Sequence, residues 1–168
     1  EELKDKITEA RAAFKAKLAE IKDERKKTIV ENIDSRIKTI NENRTQEMLM
    51  HLERLTTILA KVSSREAVLK SQGKDTTALL NSINSAKTAI ETAKTAVNAQ
   101  GEKTYTANIT TDETLKTAIT TVLSQFKADI KAAHVLVVAA QKAVASAHKA
   151  AGLTVATLTP TVTAIPTP

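Results

Sequence analysis

Cysteine and tryptophan are absent from this 168-residue chain, which holds only three glycines and three prolines. Without cysteine there is no disulfide, no thiolate metal ligand and no thiol nucleophile. Phe14, Phe126 and Tyr105 are the only aromatics, 2% of the residues, so alanine, leucine, isoleucine and valine must supply the core. Small aliphatic cores suit closely packed helices. Sandwiches and barrels need β-branched and aromatic strands broken by frequent turns. All three prolines, Pro160, Pro166 and Pro168, lie in the last nine residues, so the rest of the chain is free of the strongest helix breaker. No uninterrupted run of about 18 apolar residues exists, which predicts no transmembrane segment. The longest apolar stretch, Ala132 to Ala140, is interrupted by His134. The chain begins at Glu1 without an initiator methionine, as expected of a processed product or a piece of a larger precursor.

The net charge of +6 is spread evenly. Residues 1–72 hold 16 Lys/Arg against 13 Asp/Glu, and residues 73–168 hold 9 against 6. In the first half cations sit beside anions, as in Lys4-Asp5-Lys6 and Asp23-Glu24-Arg25. That pattern describes a solvated helix surface rather than the one-sided basic patch of a nucleic-acid binder, so nucleic acid is an unfavoured partner.

Apolar spacing defines three helices. Met48, Leu52, Leu55, Leu59 and Val62 repeat at 4, 3, 4, 3; Glu66 interrupts the seam before Leu69. Leu79, Ile83, Ala86, Ile90, Ala93 and Val97 continue the rhythm in a second helix. Leu115, Ile119, Val122, Phe126, Ile130, Ala133, Val137, Ala140, Val144, Ala147 and Ala151 carry it through a third. Sustained alternation of 3 and 4 marks coiled-coil-like packing. Gly73, Gly101 and Gly152 follow helical patterns and read as stop signals. Asp75 reads as an N-cap, and Thr110 with Glu113 as a capping box. The expectation is all-α: an elongated antiparallel three-helix bundle over about 44–72, 75–99 and 111–151. Residues 1–43 would add an N-terminal helical extension continuous with the next helix, perturbed only at Asn41-Glu42-Asn43. Residues 44–152 form the bundle domain. Residues 153–168, rich in threonine and proline and uncharged, form an extended tail that serves as linker or docking strand.

Catalytic constellations are missing. His51, His134 and His148 form no metal-ligand spacing, since the last two stand 14 residues apart on one helix, about 21 Å. No phosphate-binding glycine loop occurs, and Asp112-Glu113 reads as N-terminal helix charge. The expectation is no enzyme, no cofactor and no metal. Asn43-Arg44-Thr45 and Asn108-Ile109-Thr110 match the glycosylation pattern, a short one that arises by chance. The N-terminal stripe Leu3, Ile7, Phe14, Leu18 and Ile21 drifts around its helix and is a candidate interaction surface. Its cover is either the end of the last helix, Ala139 to Ala151, or a second copy of the chain.

Several short motifs resemble a group of uncharacterised exported helical proteins from uncultured small-genome bacteria. They are the turn Gly73-Lys74-Asp75-Thr76, the repeats Ala86-Lys87-Thr88-Ala89 and Ala93-Lys94-Thr95-Ala96, and the run from Phe126 to His134. The resemblance spans about residues 44–151 and implies export and a helical bundle; it supplies no site. Together these readings anticipate a non-enzymatic, extracytoplasmic structural or interaction module at a bacterial cell surface, acting as spacer, adhesion element or self-assembling rod with protein partners. The alternatives are a ligand-sensing bundle and a weak binder of nucleic acid or another anionic polymer, the latter suggested by a pI near 9.5.

Overall fold

The computed structural model describes residues 8–9, 11–16, 23–107 and 114–153. Among these the only regular elements are helices. A helical segment, α1, has its described residues at 8–9 and 11–16. Three long helices follow: α2 (Glu24–Ser71), α3 (Thr77–Gly101) and α4 (Leu115–Ala150). They pack mutually as an up-down-up bundle. The three predicted seams meet in one apolar core, from Met48 and Leu79 at its flanks to the fully enclosed Leu52, Val62, Ala86, Val97 and Val144. Alanine recurs in that core because it lets the helix backbones approach closely.

The structure corrects the expected course of the first 72 residues. α2 passes unbroken through Asn41-Glu42-Asn43, and the break falls instead at Asp23. Asp23 is extended, and its carboxylate accepts hydrogen bonds from the backbone N–H of Arg25 (2.9 Å) and Lys26 (3.3 Å). A side-chain cap starts a helix without any glycine or proline, because it satisfies N–H donors that the first turn leaves unpaired. The helix that carries the bundle's first seam therefore begins at Glu24.

Two of the three glycine stops behave as expected. Gly73 and Gly152 adopt φ of +76° and +69°. Around Gly73, Lys74 N–H reaches Leu69 O and Gly73 N–H reaches Lys70 O, the paired bonds of a Schellman end. Gly101 is different: it is the last helical residue of α3 and has no positive φ. At the α2–α3 turn, Asp75 accepts from Thr77 N–H at 2.9 Å. That bond holds the Asp75 carboxyl below its ordinary range. Glu66, the misfit in the seam, accepts the Thr76 hydroxyl at 2.6 Å and so fastens the turn.

α3 is shorter than its neighbours, and the surplus of α4 lies at its beginning rather than over Ala139–Ala151. Beyond the end of α3 a second, small cluster forms from Phe14, Val30, Ala107 and Leu115, with Ala118, Ile119 and Val122 against it. α1 thus occupies the place that α3 vacates. By length and composition α4 is the one helix among the described residues that could cross a membrane, with a window of mean hydropathy 1.2. Within the bundle its apolar face is core. Thr110, Glu113 and the tail from residue 154 lie outside the described residues.

Candidate functional site

The level at which α3 ends is the most polar layer of the interior. Asn41 and Gln100 are buried, at 3% and 2% exposure. Asn41 Nδ2 donates to Gln100 O at 3.0 Å, and Gln100 Nε2 donates back to Asn41 Oδ1 at 3.0 Å. Gln100 Nε2 also donates to the Tyr105 hydroxyl at 2.7 Å, which in turn donates to Asp129 Oδ2 at 2.8 Å. Lys103 Nζ sits 3.0 Å from the same oxygen, and Gln125 Nε2 donates to the other at 2.9 Å. The Tyr105 ring meets Phe126 edge-on, centroids 5.1 Å apart. The network links α2, α3, the α3–α4 connection and α4 at one level. A buried, fully paired asparagine fixes register between helices.

Thr45 belongs to the same layer. Its hydroxyl donates to Asn41 O at 2.8 Å, and a Cβ placed on Gly101 would lie 3.5 Å from it. The threonine of the Asn43-Arg44-Thr45 sequence is thereby enclosed against the last turn of α3.

Beside this layer opens a cleft of about 310 Å³, walled by α2 from Asp34 to Glu42, by Gly101–Tyr105 and by Arg11 of α1. Both of its lysines are engaged by carboxylates. Lys38 pairs with Glu42 at 3.7 Å, and Lys103 with Asp129. Burial raises the Asp34 carboxyl, with Arg11 and Lys38 pulling it back only in part. Burial, together with the bond to the negative Asp129, pushes the Tyr105 phenol well above its ordinary value, so it stays protonated at any physiological pH. Burial also works to raise Asp129, but the hydrogen bonds from Lys103 and Tyr105, the Lys103 charge and Gln125 outweigh it and hold the carboxyl below its usual range. A locked phenol and a paired carboxylate neither abstract nor deliver a proton near neutrality. The arrangement positions helices.

The histidines do not converge on a metal. No group of three metal-ligating side chains occurs among the described residues. His51 lies in the groove between α2 and α4, close enough to Gln141, Arg54 and His134 to be influenced by each. Its Nε2 is buried without a hydrogen-bond partner, as is His148 Nδ1. Of the candidate interaction stripe, Phe14 is buried within the chain against Val30, Ala107 and Leu115; Leu3, Ile7, Leu18 and Ile21 lie outside the described residues. The buried Asn41–Gln100 pair escaped the sequence reading. Extending the Met48 seam backwards at helical spacing through Thr45, Asn41 and Ile37 would have found it.

Comparison with protein-family models, with curated proteins and with solved structures finds no match to this chain.

Proposed function

We propose that this chain is a non-enzymatic, extracytoplasmic structural module, a stiff helical spacer that works by helix packing at a bacterial cell surface. The observation that carries this reading is the continuity of α2. Its 48 residues run without interruption, about 72 Å at 1.5 Å per residue. It is braced by α3 and α4 over its second half, and by α1 and α4 near its start. A helix supported in this way resists bending, whereas an isolated one of that length would fray and curve. The cleft supports the same reading from the opposite side, because its two lysines are already engaged, Lys38 by Glu42 and Lys103 by Asp129. The motifs around Gly73 and in α3 and α4 favour export.

Small-angle scattering and light scattering on the full chain test the proposal together. A rod with a longest dimension of at least about 72 Å, unchanged between micromolar and millimolar protein, is the expected result for a monomeric spacer. Growth of that dimension with concentration would favour the self-assembling form, built through Leu3, Ile7, Leu18 and Ile21. A compact particle would overturn both.

A further inference from the structure

Five of the ten cations of α2 and all five lysines of α4 are gathered on one side of the folded rod. At about 100° per residue, Arg25, Arg36, Arg54, Lys61 and Arg65 of α2 fall within an arc of about 40°, and all five are exposed. Every lysine of α4, namely Lys116, Lys127, Lys131, Lys142 and Lys149, falls within an arc of about 80°, and these too are exposed. The contact of His51 with Gln141 and His134 shows which side of each helix turns toward the other. Thr45 against Gly101, and Asp129 against Lys103 and Tyr105, mark the opposite sides, toward α3 and the chain that follows it. With those directions fixed, the two rows of cations point outward from the same face, along either side of the α2–α4 groove.

Among the described residues of α2 and α4, Glu47 is the one carboxylate on this face. Asp129 is the only acidic residue of α4; it lies on the far side of the helix and is engaged by Lys103. On α2 only Glu47 falls in the basic arc, and Arg44 holds it at 3.0 Å. The other acids of α2 are turned away by about 100° or more. None of the ten cations forms an ion pair among the described residues. Exposed apolar side chains share the surface: Ile29, Ile40, Met50 and Val68 lie along the α2 row, and Val135 lies beside the α4 row, five of the six large hydrophobics that the described residues expose.

We propose that the α2–α4 face is a docking surface for an anionic lipid bilayer, on which the rod lies lengthwise. Two rows of cations side by side on one face can meet a flat sheet of phosphate headgroups along their length. The exposed Ile40, Met50 and Val135 reach to the headgroup boundary, where apolar side chains lower the free energy and nucleic-acid phosphates offer them nothing. No aromatic ring is present on the face to stack on bases. The helices themselves stay folded together, since their remaining apolar surface is the bundle core. The surface does not depend on the spacer reading: a rod that binds no vesicle still spans its length.

Co-sedimentation of the full chain with vesicles of phosphatidylcholine, with and without phosphatidylglycerol, tests this. Binding is expected only to the anionic vesicles, weakening as salt rises. Lys127→Gln, Lys131→Gln, Lys142→Gln and Lys149→Gln combined should weaken it at least about tenfold. Removing the same charge elsewhere, by Lys38→Gln, Lys74→Gln, Lys87→Gln and Lys94→Gln, should change it less than about threefold. Ile40→Ser with Met50→Ser should weaken vesicle binding and leave the affinity for a DNA duplex unchanged. Circular dichroism checks that each variant is folded. Equal losses in the two lysine sets would mean net charge alone is read, and would overturn the proposal. So would absence of binding to the anionic vesicles, or tighter binding to the duplex that the α4 variant abolishes.

Discussion

The two ends of the rod are built from the same helix, α2, yet they are held by different means. From Met48 to Val62 it contributes an aliphatic side chain at each inward turn and meets α3 and α4 in one continuous core. From Val30 to Thr45 its inward apolar positions are sparser, and Asp34, Asn41 and Thr45 take up turns between Val30, Ile37 and Met48. There the third helix is α1, and among the described residues Phe14, Val30, Ala107 and Leu115 are the ones buried together. The Asn41–Gln100–Tyr105–Asp129 layer stands where one arrangement gives way to the other. Aliphatic packing supplies stability at one end. At the layer, paired polar groups supply register, at little net gain in stability.

The comparison is broken most directly by truncating each core. Leu52 is wholly enclosed, so Leu52→Ala should cost about 3–5 kcal/mol in denaturant unfolding. Phe14 sits in the small cluster with few neighbours, so Phe14→Ala should cost about 1–2 kcal/mol, below the usual range for a full core phenylalanine. Native-state hydrogen exchange should then show faster opening at the Val30 end alone. Equal costs, with protection lost along the whole of α2, would mean that the ends form a single cooperative unit.

The polar layer is sharpened by a double-mutant cycle. Asn41→Ala and Gln100→Ala each leave a buried partner unsatisfied and should cost about 1–3 kcal/mol. The double variant should cost much less than the sum, the difference being the coupling between them. A smaller effect is expected from Tyr105→Phe, about 1 kcal/mol, since the ring keeps its edge against Phe126 and only the hydroxyl bonds to Gln100 and Asp129 are lost. Asp129 adds a pH dependence with a definite sign. Its folded pKa is depressed, so its contribution is present above the unfolded value of 3.8 and is lost as pH falls through the folded pKa. Tyr105→Phe should make the acid loss shallower; an unchanged acid limb would show that Asp129 draws nothing from the phenol.

Most of the architecture was legible in apolar spacing. Every seam residue proposed for residues 48–62 and 79–97 is buried, because a strict 3–4 rhythm has one way to face a partner. The start of α2 was not legible, since Asp23 sits in a charged run where nothing distinguishes a cap from a solvated carboxylate. Ile29 and Ile40 are exposed, while Val30 and Asn41, one position away, are buried. Where apolar residues are sparse, a shift of one position costs the reading nothing that the sequence can register. The cleft was hidden for a related reason: it arises where α3 ends and α1 stands in, and that junction joins residues from Arg11 to Tyr105. The gathering of cations on the α2–α4 face required knowing which sides of those helices meet.

The smallest effect concerns the groove between α2 and α4. Burial lowers the His51 pKa, and the charges of Arg54 and His134 lower it further, against the opposing bond from Gln141. For a group whose folded pKa lies below its unfolded value of 6.5, the contribution to stability is complete above 6.5 and is lost as pH falls through the folded value. Neither α4, whose only carboxylate is the distant Asp129, nor the neighbouring turns of α2 bring a free anion to the ring. A proton taken up there remains uncompensated. Stability should therefore decline slightly as pH falls below about 6.5, His51 being only part-buried. His51→Gln should flatten this limb and leave the acid limb below pH 4 to Asp129 and Asp75, both of whose pKa values are depressed. Thermal melts of the two proteins across that range make the measurement. Parallel curves would show that the groove admits enough water to solvate the imidazolium, and that the two helices meet there less tightly than at Leu52 and Val144.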